Sequence, residues 1–422
     1  MIDLYPHQIE SLKQTEEQNR VAYYLDMGLG KTFVGSEKMY ELGAKINLVV
    51  CQKSKVNDWV EHFKTYYPEY HTFDLTNKKQ WEYVLHDCPY FLHEFVILVI
   101  NYDLIFRRPE ISKLMDFTLM LDESSLIQNE NAKRSRFILK KLNPTNVILL
   151  SGTPTGGKYE KLWSQCRLLG WKISKDAFWS SYINYHFEHD TGFPRKVVDG
   201  YKNVERLKHK LHEHGAIFMK SEDVFDLPAK IDTRVNVYCT PAYRKFRQKS
   251  IVKIDGVEFV GDNILTKMLY ERMLCGSYNS DKIAALKDLI ESTEDRLIIF
   301  YNFNGELEVL RDLCASVERP VSIICGNIKD LSSYEKSKDS VTLVQYQAGA
   351  MGLNLQKSNK IVYFTPPLSS EFFEQSKKRI HRIGQDRTCF YYYLICSGSI
   401  EEKIYRTLAM RKDYTERLFE NE

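Results

Sequence analysis

The sequence predicts an α/β protein with two tandem lobes, each built on a parallel sheet, and a mostly helical insertion between them. Its apolar runs are short, almost uninterrupted and rich in Val, Ile and aromatic residues, which is typical of parallel strands buried on both faces. Polar-amphipathic stretches of helical length separate the runs, and strands that alternate with helices favour parallel α/β units. The chain of 422 residues is long enough for more than one core.

Each lobe is expected to take its strands from one series of apolar runs. The first series lies at residues 21–25, 46–51, 95–100, 117–121 and 147–150, and the second lies at residues 297–301, 321–325, 341–346, 361–364 and 390–396. The stretch between them is rich in Trp, Tyr, His and Lys and shows no strand series. We therefore expect lobe one at residues 1–157, the insertion and linker at 158–230, and lobe two at 231–422. A terminal helix is expected from residue 399, because charge alternates there at helical spacing.

Bulk properties limit the class of protein. No apolar run reaches the roughly 18 residues that a membrane span needs, and the N-terminus lacks a signal-peptide pattern, so we expect a cytoplasmic protein. The nine cysteines include no CxxC pair, which disfavours a disulfide framework or a zinc site. The net charge of +3 neither requires nor excludes nucleic acid, because a basic groove can lie within a near-neutral total.

A glycine-rich loop, here named the phosphate loop, follows the first predicted strand and precedes a predicted helix. Glycines let backbone N–H groups turn toward phosphate oxygens, and the helix N-terminus adds positive charge. Lys31 is predicted to bind the β- and γ-phosphates of ATP and Thr32 to bind Mg²⁺. The strict pattern has Gly five residues before Gly30, where this chain has Leu25, and the alternative is a structural turn. The predicted nucleotide-binding residues of the loop are Met27, Gly28, Leu29, Gly30, Lys31 and Thr32.

A carboxylate pair, Asp122 and Glu123, follows the buried run at 117–121. Asp122 is predicted to hold Mg²⁺, directly or through water, and Glu123 to orient and deprotonate the attacking water. An Asp-Glu pair that caps a following helix is the alternative. The position at the end of a core strand, together with the phosphate loop, favours ATP hydrolysis.

Later motifs identify a family. Residues 150–154 have the sequence LSGTP, and residues 375–385 have the sequence QSKKRIHRIGQ. The chain resembles helicase superfamily two, in which the GxGKT form of the phosphate loop is usual. Residues 375–385 match the QxxxRxHRIGQ signature of the Swi/Snf-type DNA translocases at every fixed position. Residues 347–355 resemble the preceding lobe-two motif and residues 5–8 the adenine-reading element. The resemblance covers nearly the whole chain and is greatest to compact, phage-type members, which act inside a host cell.

The resemblance implies two RecA-like lobes that use ATP and Mg²⁺. It assigns Tyr5 and Gln8 to the adenine, with Gln8 bonding the base, and Gly352 and Gln375 to nucleotide binding. It assigns the SGTP loop (residues 151–154) to coupling of the ATP state to nucleic-acid contacts, through Ser151, Gly152 and Thr153.

Two arginines complete the implied site. Arg379 and Arg382 approach the γ-phosphate across the cleft in the family, and a planar guanidinium binds phosphate oxygens bidentately. They are three residues apart, so on a helix both would project from one face. One departure stands out: Ser125 occupies the position of the family's usual His after the carboxylate pair, which leaves the partner of the SGTP loop open.

Nucleic-acid contacts are expected to the phosphate backbone of duplex DNA, with little sequence preference. The expected contact residues follow two strand ends of lobe one and are Lys53, Ser54, Asn57, Trp59, Asn101 and Tyr102. The alternative is a solvated strand–helix loop with Trp59 in the core. The aromatic residues of the insertion could stack on bases, but an insertion core is favoured.

The leading hypothesis is therefore a monomeric, DNA-stimulated ATPase that translocates on duplex DNA. An unwinding or fork-remodelling helicase is the second hypothesis, although no strand-splitting pin is recognised in the sequence. A nucleotide-gated clamp is the third, and the intact Glu123, Arg379 and Arg382 disfavour it. The sequence identifies no protein partner.

Overall fold

Packing divides the chain into two units after Val224. In the computed structural model, which describes residues 3–86, 95–189, 194–254, 256–349 and 353–419, the first unit runs to Val224 and includes the chain from Asp413, and the second unit is Phe225–Lys412. Each unit contains a large sheet of its own, as the two series of apolar runs predict.

The first unit is built on a seven-stranded parallel sheet. Its strands are β1 (Arg20–Leu25), β2 (Ile46–Cys51), β3 (His71–Asp74), β4 (Val96–Asn101), β5 (Phe117–Asp122), β6 (Asn146–Leu150) and β9 (Ala216–Met219). Their order is β3-β4-β2-β5-β6-β1-β9, and every neighbouring pair is parallel. Strands β5, β6 and β1 are therefore adjacent, with Leu150 opposite both Tyr23 and Asp122. Because the carboxyl ends of parallel strands share one edge, the segments that follow these three strands meet there.

Helices pack on this sheet through apolar faces. They are α1 (Pro6–Lys13), α2 (Lys31–Leu42), α3 (Val56–Tyr66), α4 (Lys78–His86), α5 (Tyr102–Ile105), α6 (Lys133–Lys141), α7 (Trp163–Leu168), α8 (Lys175–Tyr182) and α9 (Val204–Glu213). In α3 the buried residues Val56, Trp59, Val60 and Phe63 recur at helical spacing, and the residues between them are polar. Through this apolar face α3 packs against β3 and β4.

The segment expected as a mostly helical insertion contains α7, α8 and α9, but it also contains strands. A hairpin joins β7 (Ile183–Glu188) to β8 (Arg195–Tyr201), and β9 adds the edge strand beside β1. The sequence hid these strands because β9 has four residues and the hairpin strands are half-exposed, without a continuous apolar run. Phe178 and Tyr182 are buried in the core of the first unit, so the favoured expectation of a packed aromatic core is confirmed for these residues.

The second unit also has a seven-stranded sheet. Its strands are β10 (Lys230–Val237), β13 (Leu297–Tyr301), β14 (Val321–Ile324), β15 (Lys329–Asp330), β16 (Val341–Gln345), β17 (Lys360–Tyr363) and β18 (Cys389–Cys396). Their order is β10-β18-β17-β13-β16-β14-β15, and the pairs are parallel except β14 with β15. A separate antiparallel hairpin pairs β11 (Ile251–Ile254) with β12 (Val257–Val260).

The helices of the second unit cover both faces of its sheet. They are α10 (Pro241–Lys249), α11 (Ile264–Cys275), α12 (Ser280–Glu291), α13 (Asn304–Ser316), α14 (Ser332–Lys336), α15 (Tyr346–Gly349), α16 (Ser370–Lys377) and α17 (Ile400–Phe419), of which the residues from Asp413 group with the first unit. The last of these confirms the expected terminal helix. Within the described ranges, no helix combines the length and the apolar composition that crossing a bilayer requires.

A buried ion pair fixes the start of α17 to α12. The Nζ atom of Lys282 lies 2.6 and 2.8 Å from the two carboxylate oxygens of Glu401, and both side chains are inaccessible to water. The backbone N–H of Cys396 also donates to Glu401. A buried charge pair of this kind is costly to break, because the remaining partner is left without compensation.

Candidate active site

The phosphate loop connects the end of β1 to the start of α2. Gly28 and Gly30 have φ angles of 92° and 75°, in the left-handed region that favours glycine. Gly30 is the N-cap of α2, so the first backbone N–H groups of that helix lie beside the loop, which is the arrangement that binds phosphate. The Nζ atom of Lys31 donates to the carbonyl oxygens of Leu25 and Asp26 at 2.8 and 3.1 Å. The loop therefore has the geometry that the sequence predicts.

The N-terminal end of α1 is attached to the phosphate loop. Nε2 of Gln8 donates to the carbonyl oxygen of Leu29 at 3.1 Å, and Nε2 of His7 is 3.0 Å from the same oxygen. The backbone N–H of Tyr5 donates to Oε1 of Gln8. A Cβ atom at Gly30 would lie 2.0 Å from Gln8 Nε2, so a residue with a side chain at this position would displace the Gln8 amide. The structure thus brings Tyr5 and Gln8 to the loop, as the adenine-reading assignment needs.

Asp122 ends β5 and is held by two aromatic side chains. The indole Nε1 of Trp59 donates to Oδ2 of Asp122 at 2.9 Å, and the hydroxyl of Tyr102 donates to its backbone oxygen at 2.9 Å. Burial raises the pKa of Asp122 above its usual range, whereas the Trp59 hydrogen bond and the charge of Lys31 oppose that shift. The carboxylate is therefore fixed in direction and lies within the electrostatic reach of the phosphate-loop lysine.

Glu123 has a backbone conformation that is rare for a residue with a side chain. Its φ of 53° and ψ of 61° are left-handed, and such strain concentrates at functional sites. The hydroxyl of Ser151 donates to Oε2 of Glu123 at 3.3 Å, and the backbone N–H of Thr153 donates to that hydroxyl. A Cβ atom at Gly152 would lie 3.3 Å from Lys31 Nζ. The SGTP loop therefore bonds to the predicted base and lies beside the predicted phosphate-binding lysine.

One residue that sequence reasoning missed joins these segments. The amide of Gln165, in α7, accepts hydrogen bonds from the hydroxyls of Tyr24 at 2.9 Å and Ser124 at 2.8 Å. Its Nε2 donates to the carbonyl oxygen of Pro154 at 2.8 Å, and Gln128 donates to the same oxygen at 3.2 Å. The only signal in the sequence was a glutamine at helical spacing from apolar residues of the same segment.

The expected nucleic-acid residues divide into two groups. The first group is exposed, as contact with DNA requires, and consists of Lys53, Ser54 and Asn57. The second group is buried and consists of Trp59 (3% exposed), Asn101 (6%) and Tyr102 (2%). Two of the buried side chains donate to Asp122, and their packing removes them from any nucleic-acid surface. The expectation is corrected for these three residues, and the alternative of Trp59 in the core is the one observed.

The signature segment of the second unit departs from a continuous helix. Helix α16 contains Gln375 but ends at Lys377, and the backbone beyond it forms turns. Arg379 and Arg382 therefore lie outside the helix, and the argument that both project from one helical face is wrong. Gly384, with a φ of 87°, provides the left-handed residue that ends this turn segment.

Hydrogen bonds hold the turn segment to neighbouring loops of the same unit. Arg379 Nη1 donates to the carbonyl oxygen of Leu353 at 3.3 Å, and Gln385 Nε2 donates to those of Gln356 and Ser358 at 3.0 and 2.9 Å. The other nucleotide-binding residue predicted in the second unit besides Gln375 is Gly352, which lies outside the described residues.

A basic surface in the second unit also escaped sequence reasoning. Helix α10 buries Tyr243 and Phe246, and residues 241–253 contain no acidic residue. The exposed side chains of this stretch include Arg244, Lys245, Arg247, Lys249 and Lys253. Such a cluster on one helix and its adjoining strand is the kind of local surface that the near-neutral total charge conceals.

Comparisons with known proteins identify the family of the chain. The family model described as SNF2-related domain matches residues 13–280, and the one described as Helicase conserved C-terminal domain matches residues 281–384. An ISWI chromatin-remodeling complex ATPase of Saccharomyces cerevisiae is 25% identical, over 95% of this chain and 39% of that protein. A SWI/SNF-related matrix-associated actin-dependent regulator of chromatin of Mus musculus is 24% identical, over 90% of this chain and 39% of that protein.

The chain thus spans about two fifths of the length of these curated relatives. Among solved structures, the Sulfolobus solfataricus SWI2/SNF2 ATPase core in complex with dsDNA is 22% identical, with a TM-score of 0.47, over 98% of this chain and 92% of that one. Because the SNF2-related model alone matches more than half of the chain, the chain belongs to the SNF2-related family.

Proposed function

We propose that this chain is a motor that hydrolyses ATP and uses the energy to move along duplex DNA. The observation that carries the proposal is the meeting of the phosphate loop, the carboxylate pair and the SGTP loop after three adjacent strands of one sheet. Family membership and the names of the relatives, which include chromatin-remodeling ATPases, support the same activity.

The phosphate loop would bind the triphosphate of ATP. Lys31, the first residue of α2, would exchange its backbone partners for phosphate oxygens. Thr32 and Asp122 offer a hydroxyl and a carboxylate, and oxygen ligands of this type are those that Mg²⁺ prefers, so the residues fit the ion. When bound, Mg²⁺ would neutralise developing charge on the phosphates. Trp59 would keep the Asp122 carboxylate in its binding direction.

Glu123 would orient the attacking water and accept its proton. Its left-handed backbone and the hydrogen bond from Ser151 fix the carboxylate, and general bases act only from a defined position. Gln8 would identify adenine, since a Gln amide matches the donor and acceptor on the N6 and N7 edge of that base.

Arg379 and Arg382 would supply positive charge to the γ-phosphate, and Gln375 would assist nucleotide binding. These roles rest on the match of residues 375–385 to the family signature. The two arginines lie in a turn segment that hydrogen bonds hold in place, and that anchoring suits groups that must be positioned before the transition state.

The duplex would be held by its phosphates. Lys53, Ser54 and Asn57 are exposed at the carboxyl end of β2, and the basic stretch 241–253 offers a second phosphate-binding surface. Contacts of these types carry no sequence information, so the motor would move along DNA of any sequence. We propose a monomer as the working form.

The decisive experiment compares ATPase rates with duplex DNA, single-stranded DNA and RNA, followed by triplex displacement and fork unwinding. The proposal expects the largest stimulation by duplex DNA and displacement of a triplex strand without fork unwinding. Fork unwinding would instead identify a helicase. Stable DNA binding with no turnover would identify a clamp, and neither outcome is compatible with the proposed motor.

A further inference from the structure

The side chain of Gln165 forms hydrogen bonds to three segments of the first unit. Its side chain is fully buried, and its amide bonds Tyr24 on β1, Ser124 directly after Glu123, and Pro154 in the SGTP loop. A buried amide is favourable only when its donors and acceptors are satisfied. In the observed arrangement these three partners satisfy the amide. A displacement of any one segment therefore strains the hydrogen bonds of Gln165 to the other two.

The network reaches the predicted base by two routes. Ser151 donates directly to Glu123 Oε2, at one end of the SGTP loop. At the other end, Pro154 is joined through Gln165 to Ser124, the residue that follows Glu123 in the chain. Because Glu123 has a strained left-handed backbone, its conformation depends on the groups that hold its neighbours.

We propose that Gln165 is the positioning residue through which a DNA-induced change in the SGTP loop reaches Glu123. The inference rests on the proposed function. It supplies a partner for the SGTP loop in a chain where Ser125 stands in the position of the family's usual His. An amide suits the role because one side chain accepts from the Ser124 hydroxyl and donates to the Pro154 carbonyl.

The test replaces the amide and measures ATPase with and without duplex DNA. Gln165→Leu removes all three bonds, and Gln165→Glu keeps the acceptor for Ser124 but loses the donor to Pro154. We expect both variants to lose about tenfold in DNA-stimulated kcat, within the range of a coupling free energy between sites. The KM for ATP and the DNA affinity should change by less than about threefold, since Gln165 contacts none of the proposed ligand sites. The basal rate should fall by a smaller factor than the stimulated rate, because Gln165 also holds the residue beside Glu123.

Two further variants separate positioning from folding. Gln128→Leu removes the other amide that donates to Pro154 but does not touch Ser124, and it should retain stimulation. Ser124→Ala should reproduce the loss of DNA-stimulated kcat seen in Gln165→Leu. The double variant Ser124→Ala/Gln165→Leu should lose no more than Gln165→Leu alone, because both substitutions remove the same hydrogen bond between the two residues.

Clear outcomes overturn the inference. Undiminished stimulation in folded Gln165→Leu and Gln165→Glu removes Gln165 from the coupling route. Basal and stimulated rates that fall by one common factor, together with a lower Tm, identify a purely structural role. A wild-type protein that duplex DNA does not stimulate overturns the proposed function as well, which distinguishes the two failures.

Discussion

The indole nitrogen of Trp59 lies 2.9 Å from Oδ2 of Asp122. Helix α3 thereby orients a carboxylate at the end of β5, and a residue that the sequence suggested for DNA contact supports the proposed ATP site instead. Ring stacking on Phe63, with centroids 5.5 Å apart, keeps the indole in this direction. The relationship predicts that Trp59 affects metal use more than DNA binding.

Trp59→Phe tests that relationship. Phenylalanine keeps most of the packing but removes the N–H donor, and loss of a partner that orients a metal ligand typically costs about 10–100-fold in metal affinity or activity. We expect the Mg²⁺ concentration for half-maximal ATPase to rise by about tenfold or more, with DNA affinity unchanged. Trp163→Phe is the matched control, because it loses an indole bond to Ile173 away from the site. Equal Mg²⁺ dependence in wild type and Trp59→Phe would contradict the assignment.

Lys31→Ala and Glu123→Gln separate binding from hydrolysis. The first should abolish turnover, because the phosphates lose their lysine. The second should still bind ATP but hydrolyse it at least about 10²-fold more slowly, since general-base catalysis contributes roughly 10²–10⁴. Nucleotide titration and single-turnover hydrolysis measure the two steps separately. Wild-type hydrolysis by Glu123→Gln would remove Glu123 from the role of base.

Arg382→Ala should reduce turnover while leaving nucleotide and DNA binding nearly intact. A cationic group that acts on transition-state charge contributes little to ground-state affinity. Such arginines raise the rate by roughly 10³–10⁵-fold, which corresponds to about 4–7 kcal/mol of activation free energy. Arg382→Lys should restore little, because a point charge does not replace the planar fork. Arg387→Ala, at an exposed arginine five residues later, is the control. Unchanged basal ATPase with weakened DNA binding would show that Arg382 contacts DNA instead.

The proposed DNA contacts predict that binding depends on salt. Binding should weaken as salt rises, and Lys53→Ala should reduce the slope of log K against log salt by about 1, the value for one phosphate contact. Lys64→Ala, at an exposed lysine on α3 that pairs with Glu61, should leave the slope unchanged. Filter binding or fluorescence anisotropy over a salt series measures both. A strong preference for one DNA sequence in competition would contradict backbone recognition.

Glu306 predicts a dependence of stability on pH. Burial raises the pKa of Glu306 to about 7, against hydrogen bonds from the backbones of Asn302 and Phe303 and from Thr365 that favour the charged form. Since the carboxyl of the unfolded chain ionises near the ordinary glutamate pKa of 4.5, the unfolded chain releases its proton first as pH rises. This destabilises the folded second unit between the two values.

Wild type should therefore lose about 2–3 kcal/mol of stability between pH 5 and pH 8 from this group. Glu306→Gln has no ionisable group and should lose less over the same range, as urea denaturation at both values will show. Parallel losses in wild type and variant would show that Glu306 does not titrate in this range.

Much of this architecture was predictable because most buried strands are nearly pure apolar runs, and acidic residues or glycine follow β1 and β5 closely. The phosphate loop and the carboxylate pair were recognised for that reason, whereas the SGTP loop was recognised from the family resemblance. The sheet order brings the three segments together. The four-residue strand β9 and both hairpins were not recognised, since their burial depends on partners distant in sequence. Helical spacing suggested a continuous helix through Arg382, but the turn after Lys377 is fixed by tertiary hydrogen bonds.

Long-range contacts also explain the residues that were misassigned or missed. A tryptophan after a strand end is equally compatible with a surface and a core position, and only the bond to Asp122 distinguishes them. Gln165 is 41 residues from Ser124 and 141 from Tyr24, and no local pattern connects positions so far apart.

The pairing of β1 with β9 has a consequence for synthesis on the ribosome. Strand β1 ends at Leu25, but the strand that covers its outer edge is not complete until Met219. Strand β1 joins the sheet through β6, which ends at Leu150. At roughly 5–20 residues per second, synthesis from there to the end of β9 takes about 3–14 seconds, and β1 is an uncovered sheet edge during that time. An uncovered edge strand invites pairing with another chain, so the vulnerable interval in the life of this protein falls during translation, and slower translation would lengthen it.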